Sequence, residues 1–152
     1  MRSHDSPIIP EASRSGSVNR NCDISLYGYG RRKTENPNQE CLGSDDPTKT
    51  AFPFLHGDAL SEAGHDVQIF LLGEAVSLMQ KSVATAVVPV GWLPLSETLS
   101  KIVPRKIPIY ACGACSRARG VTEADLNEYG AKFGNPKIFV SLVEWAHKII
   151  TE

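Results

Sequence analysis

No stretch of this 152-residue chain approaches the roughly 18–20 consecutive apolar residues that a membrane-spanning helix requires. The opening Met1-Arg2-Ser3-His4-Asp5 has no apolar stretch behind it, so a secretory signal is not expected either. Charge of one sign is missing as well: 16 Lys and Arg meet 17 Asp and Glu, for a net charge of −1. A nucleic-acid surface would need a basic excess and a charged docking tail an acidic run, and the chain has neither. Cysteine is scarce, with four in this length, too few for a disulfide scaffold. No internal repeat is present. What remains is 41% hydrophobic and 22% charged, near the globular average, which excludes wholesale disorder and a fibrous repeat. These absences predict one soluble, cytoplasmic domain with no membrane or nucleic-acid partner.

The averages conceal an uneven chain. Residues 1–50 hold four of the ten prolines, with many serines and asparagines and few apolar runs. Such a stretch buries too little apolar surface to offset the entropy of ordering it. Residues 1–44 therefore read as a disordered or loosely attached segment with one edge strand near 23–29. Gly28-Tyr29-Gly30 is not a phosphate loop, because neither a helix nor a Lys-Ser/Thr pair follows it.

From Asp45 onward helices and strands alternate. Asp45-Asp46-Pro47 pairs a carboxylate cap with a proline at the first helical position, where its missing N–H costs nothing. The helix carries Ala51, Leu55, Ala59 and Ala63 at spacing four, with Phe54 beside them, and ends at Gly64; Pro53 should bend or delay it. Residues 66–73 form a nearly continuous apolar run, which suits a buried parallel strand. Residues 74–81 read as a short helix, and the β-branched run 83–90 is broken by Pro89. Gly91-Trp92-Leu93-Pro94 is a loop. Leu95, Leu99 and Val103 mark a helix, and residues 106–111 a second core strand. Thr122 with Asp125 resembles a capping box for a helix stopping at Gly130. Pro136 opens a closing helix, with a last strand at residues 148–151. This order predicts a small three-layer α/β/α domain with a mainly parallel sheet over residues 45–152.

One segment carries chemistry. An apolar strand runs into Cys112-Gly113-Ala114-Cys115-Ser116-Arg117-Ala118-Arg119-Gly120. Ligands of open α/β sheets sit at the carboxyl ends of strands. A cysteine there can meet the N–H groups of the following turn, and Arg117 and Arg119 add positive charge, both of which favour thiolate over thiol. Cys112 and Cys115 also form C-x-x-C, a spacing that serves a redox disulfide or half of a zinc site. A four-thiolate zinc site would need Cys22 and Cys41, which are not spaced for it. The bland alternative is a cysteine that fills core space at a strand end.

This segment resembles the DsrE/DsrF-like (YchN-like) family of small α/β proteins, which includes sulfur-relay subunits. The resemblance covers about residues 45–152 and rests on Asp45-Asp46-Pro47-Thr48, Gly64-His65-Asp66-Val67 leading into Ile69-Phe70-Leu71, Gly73-Glu74-Ala75-Val76, and the Cys112 segment ending in Arg119-Gly120. In the sulfur-relay members, the cysteine at the position matched by Cys112 is persulfidated and passes sulfane sulfur to the next protein. The resemblance thus implies a persulfide on Cys112, with Arg119 and nearby backbone donors stabilising the anion. Gly113, Arg117 and Gly120 of the same segment are expected to contact the substrate, with no cofactor or metal. The resemblance also implies a homo-oligomer, a trimer or hexamer in relatives, with a protein sulfur donor and acceptor. Cys115 has no such match; it resolves a persulfide or disulfide, or merely packs. Relatives begin with a core strand just before the Asp-Asp-Pro helix, but here residues 36–44 are polar and contain Pro37. Either the Ile24–Tyr29 stretch substitutes for that strand or the strand is missing.

The other candidates have simpler readings. Asp45 and Asp46 are explained by capping. His56 and His65 are candidate proton shuttles but read as surface or turn residues, and His147 reads as packing beside Trp145. An exposed Trp92 would favour an interface and a buried one plain core. Three functions stay open: a persulfide carrier or sulfurtransferase on Cys112, a non-catalytic oligomeric binding or assembly module, and a C-x-x-C thiol–disulfide oxidoreductase.

Overall fold

The computed structural model describes residues 25–29 and 46–151. Five strands form one sheet in the order β4-β3-β2-β1-β5, where β1 is Ser25–Tyr29, β2 Gln68–Leu71, β3 Ile109–Cys112, β4 Lys132–Gly134 and β5 Lys148–Thr151. β2, β3 and β4 pair in parallel, and β1 lies antiparallel to both β2 and β5. All strands except β1 therefore run the same way, as expected of a small α/β domain with a mainly parallel sheet. The edge placement expected for residues 23–29 is corrected. Ser25 pairs with Leu71 on one side and Leu26 with Thr151 on the other, so β1 is an interior strand. Gly28 and Tyr29 belong to that strand. The rest of residues 1–44, including Cys22 and Cys41, lies outside the described residues, as does Asp45.

Helix α1 (Pro47–Glu62) starts as its sequence dictates. The Asp46 carboxylate accepts the backbone N–H groups of Thr48 and Lys49, each at 3.0 Å. That cap is worth about 1 kcal/mol. The helix runs on through Pro53, which is buried, and gives way at Gly64, whose φ of +84° reverses the chain toward β2. The buried face is Thr50, Ala51, Pro53, Phe54 and Gly57, not the expected row of residues four apart. Ala59 and Ala63 face solvent. At 3.6 residues per turn, each step of four overshoots by about 40°, so a row of four such residues walks off the face.

Alternation along the strands defines the layers. Ile69 and Leu71 of β2 and Ile109 and Ala111 of β3 point into a core with Phe54, Met79, Leu99 and Ile102. Phe70 points the other way, stacking on Tyr110 at 6.4 Å and meeting Phe139 edge-on at 5.4 Å. Phe139 belongs to α6 (Pro136–Trp145), which is capped by Asn135 and covers this second face.

The run after β2 is a 3-10 helix, Gly73–Met79, followed by α2 (Lys81–Ala86). The β-branched stretch from Val83 thus begins inside a helix. α3 (Leu95–Ile102) buries Leu95, Leu99 and Ile102, while Val103, the expected third position, is left partly exposed by the same drift. Two further short helices follow β3: α4 (Gly113–Ala118) and α5 (Glu123–Glu128). α5 opens with the expected capping box. Thr122 N–H donates to Asp125 Oδ2 at 2.8 Å, and Asp125 N–H donates to Thr122 Oγ1 at 3.3 Å. Those Thr122 hydrogen bonds hold the Asp125 carboxyl below its usual value. Gly130, at φ +65°, then releases the chain into β4. No helix among the described residues is long and apolar enough to cross a membrane.

Candidate functional site

β3 delivers Cys112 to the carboxyl end of the parallel strands. Its neighbour in register on β4 is Gly134. A Cβ on Gly134 would stand 2.6 Å and 2.8 Å from ring carbons of Phe70, so the strand closes against the ring only with glycine there. Gly113 continues the close approach: its Cβ would lie 3.3 Å from the Gly134 carbonyl oxygen and 3.7 Å from a terminal nitrogen of Arg117. The Arg117 head therefore folds back over Gly113, beside Cys112. α4 turns the chain away with Ser116 fully buried and ends where Gly120, at φ +68°, lets Val121 N–H reach the Ser116 carbonyl at 3.0 Å.

Cys112 and Cys115 are both free, half-buried thiols. Three residues apart across the start of a helix, they lie on one face, close enough for each to shift the ionisation of the other. Their environments differ. Burial pushes the Cys112 thiol up, but the N–H groups of Cys115 and Ala114, the Cys115 thiol and the Arg117 charge outweigh it, and its pKa falls below the ordinary value. Burial also raises Cys115, and there the hydrogen bond to Cys112 and its negative charge reinforce it; the Gly73 N–H and Arg119 oppose this and lose. Cys112 is therefore the more readily ionised thiol of the two, and Cys115 the one that holds its proton more firmly.

The two arginines are likewise distinct. Arg117 is exposed and acts on Cys112. Arg119 is half-buried and acts on Cys115; its Nε donates to Glu74 Oε2 at 2.9 Å, and a terminal nitrogen reaches the Cys115 carbonyl at 3.5 Å. Gln80 donates to the Arg119 carbonyl at 3.4 Å, which ties the end of α4 to the start of α2. Gly73 and Glu74 were legible only as part of the family resemblance, and nothing in their own residue types marked them as neighbours of the cysteines. The site is thus built from two turns, one after β2 and one after β3.

The remaining candidates lie apart from the thiols. His56 is exposed and stacks on Phe52 at 5.1 Å, His65 sits in the turn after α1, and His147 follows α6. No histidine is among the groups acting on either cysteine. Trp92 is 48% exposed, as are Val88, Val90 and Leu93 around it to a greater degree, and it touches only the edge of Phe52 among the aromatic rings described. Among the described residues no group of three or more His, Cys, Asp or Glu gathers to hold a metal ion.

The family model for the DsrE/DsrF-like family matches residues 43–151. The chain belongs to the DsrE/DsrF-like family. No curated protein and no solved structure was found to match it. The matched segment contains every residue of the two-turn site and leaves out β1, so the family sheet is completed here by a strand from outside the matched segment.

Proposed function

We propose that the protein is a sulfur carrier of the sulfurtransferase type, which accepts sulfane sulfur on Cys112 as a persulfide and hands it to a protein acceptor. The observation that carries this reading is the state of Cys112. It is a half-buried strand-end thiol whose own turn favours its thiolate through the N–H groups of Cys115 and Ala114 and the charge of Arg117. A thiolate is the nucleophile that attacks a sulfane sulfur, and the same donors suit the persulfide anion that results. Membership of a family that includes sulfur-relay subunits supports the same chemistry. A reducing, cytoplasmic setting keeps both thiols available for it.

The same reading includes a homo-oligomer, a trimer or hexamer. Its support is apolar surface that a lone chain leaves wet: Val90, Trp92 and Leu93 on one loop, and Val140, Val143 and Trp145 on α6, a helix none of whose residues is fully buried. That surface also favours the second reading, an assembly module in which the cysteines are incidental. The rate of Cys112 alkylation at neutral pH separates the two. A carrier's Cys112 reacts faster than an ordinary exposed thiol, and a slow Cys112 that also never gains sulfur from a sulfane donor leaves only the assembly module.

A further inference from the structure

Persulfide carriage needs one cysteine, and this site holds two, three residues apart on one face of a helical turn. Building on the sulfur-acceptor reading, we infer that Cys115 is the resolving thiol of Cys112, so that a persulfide which meets no acceptor is discharged inside the site as hydrosulfide. Cys112 is the last residue of β3 and Cys115 lies on the same face of the first turn of α4, both free and half-buried. C-x-x-C is a spacing that closes into redox disulfides.

The step balances without a further oxidant. The Cys115 sulfur attacks the inner sulfur of the Cys112 persulfide and a bond forms between the two cysteine sulfurs. The inner–outer sulfur bond breaks, and its electron pair leaves on the outer sulfur, which takes up the proton of Cys115 and departs as hydrosulfide. The sulfane sulfur is reduced by two electrons and the two cysteine sulfurs are oxidised by one each. A dithiol reductant then reopens the Cys112–Cys115 disulfide for the next cycle.

Sulfur loading itself prepares the attack. Before loading, the hydrogen bond to the Cys112 thiolate and its charge keep the proton on Cys115. Once the Cys112 sulfur is bonded to a second sulfur, it no longer carries that charge at the same atom; burial still opposes ionisation of Cys115, and the Gly73 N–H and Arg119 oppose burial with one raising influence fewer against them. Glu74 holds Arg119 in place for this.

The test uses the full chain loaded with inorganic polysulfide and freed of excess reagent. Intact mass and trapping of free hydrosulfide are followed together in the absence of added thiol. The wild-type chain is expected to gain one sulfur atom, then to release one hydrosulfide and end two hydrogens lighter than its reduced form. Cys115→Ser is expected to gain the sulfur but lose it about tenfold more slowly or worse, with no lighter species, and Cys115→Ala to do the same. A wild-type adduct that persists as long as that of Cys115→Ser, or hydrosulfide release without the lighter species, overturns the resolving role while leaving sulfur acceptance intact. Uptake by wild type but not by either Cys115 variant overturns the division of labour between the thiols. If none of the three chains gains sulfur, the acceptor reading falls and this inference with it.

Discussion

The turn after β2 and the turn after β3 leave the same end of the same parallel pair, and both open with a glycine. They do opposite work. The β3 turn carries the two thiols, Cys112 and Cys115, together with the charge of Arg117. The β2 turn carries no nucleophile; it supplies the Gly73 N–H to Cys115 and the Glu74 carboxylate that holds Arg119. One turn presents chemistry and the other sets its state, so the two thiols, chemically identical residues, diverge in opposite directions from the ordinary thiol value.

The contrast breaks most completely if the floor beneath the β3 turn is lifted. Gly134→Ala forces a methyl against the Phe70 ring, where the available space is 2.6 Å. It should cost about 1–3 kcal/mol, read as a lowered denaturation midpoint, and Cys112 should lose its distinctive reactivity. Next comes the pair itself. Cys115→Ala removes a thiol donor from Cys112 and should raise the pH midpoint of Cys112 alkylation. In Cys112→Ser the Cys115 midpoint should move down instead, because the charge that raised it is gone. An equal shift in the same direction for both would end the distinction.

Removing single charges should have smaller effects. Arg117→Gln should slow Cys112 alkylation at neutral pH about two- to threefold and leave Cys115 nearly unchanged, an effect that salt weakens because Arg117 is exposed. Arg119→Gln should act on Cys115. The smallest change is Gly113→Ala. Its Cβ meets the Gly134 carbonyl at 3.3 Å, a contact that a slight shift relieves, so a loss under about 1 kcal/mol is expected in the same denaturation measurement.

Legibility in the sequence followed locality. The cysteines and both arginines fall within eight residues, so their chemistry could be read as one segment. The helix caps at Asp46 and Thr122 were equally plain, since a cap and the N–H groups it serves lie within one turn. Glu74 could not be paired with Arg119 in advance because 45 residues separate them and only the parallel register of β2 with β3 brings their turns together. β4 escaped notice for a different reason: Lys132-Phe133-Gly134 has no apolar run, and what fixes it is the fit of Gly134 under Phe70. β1 was visible as a strand, but its interior position depends on partners some forty and more than a hundred residues further along the chain. The helix rows held at Ala51, Leu95 and Leu99 and left the buried face at Ala59, Ala63 and Val103, since spacing four approximates a 3.6-residue turn for one step and not for three.

The central claim is that Cys112 is the sulfur acceptor. Intact-mass measurement after exposure to inorganic polysulfide tests it most directly, run on wild type and on Cys112→Ser with matched folding confirmed by circular dichroism. Read before the adduct discharges, wild type should gain one sulfur atom at Cys112, and Cys112→Ser should gain none at that position. Equal uptake by both chains, or a wild type that neither gains sulfur at Cys112 nor ends two hydrogens lighter, would contradict it.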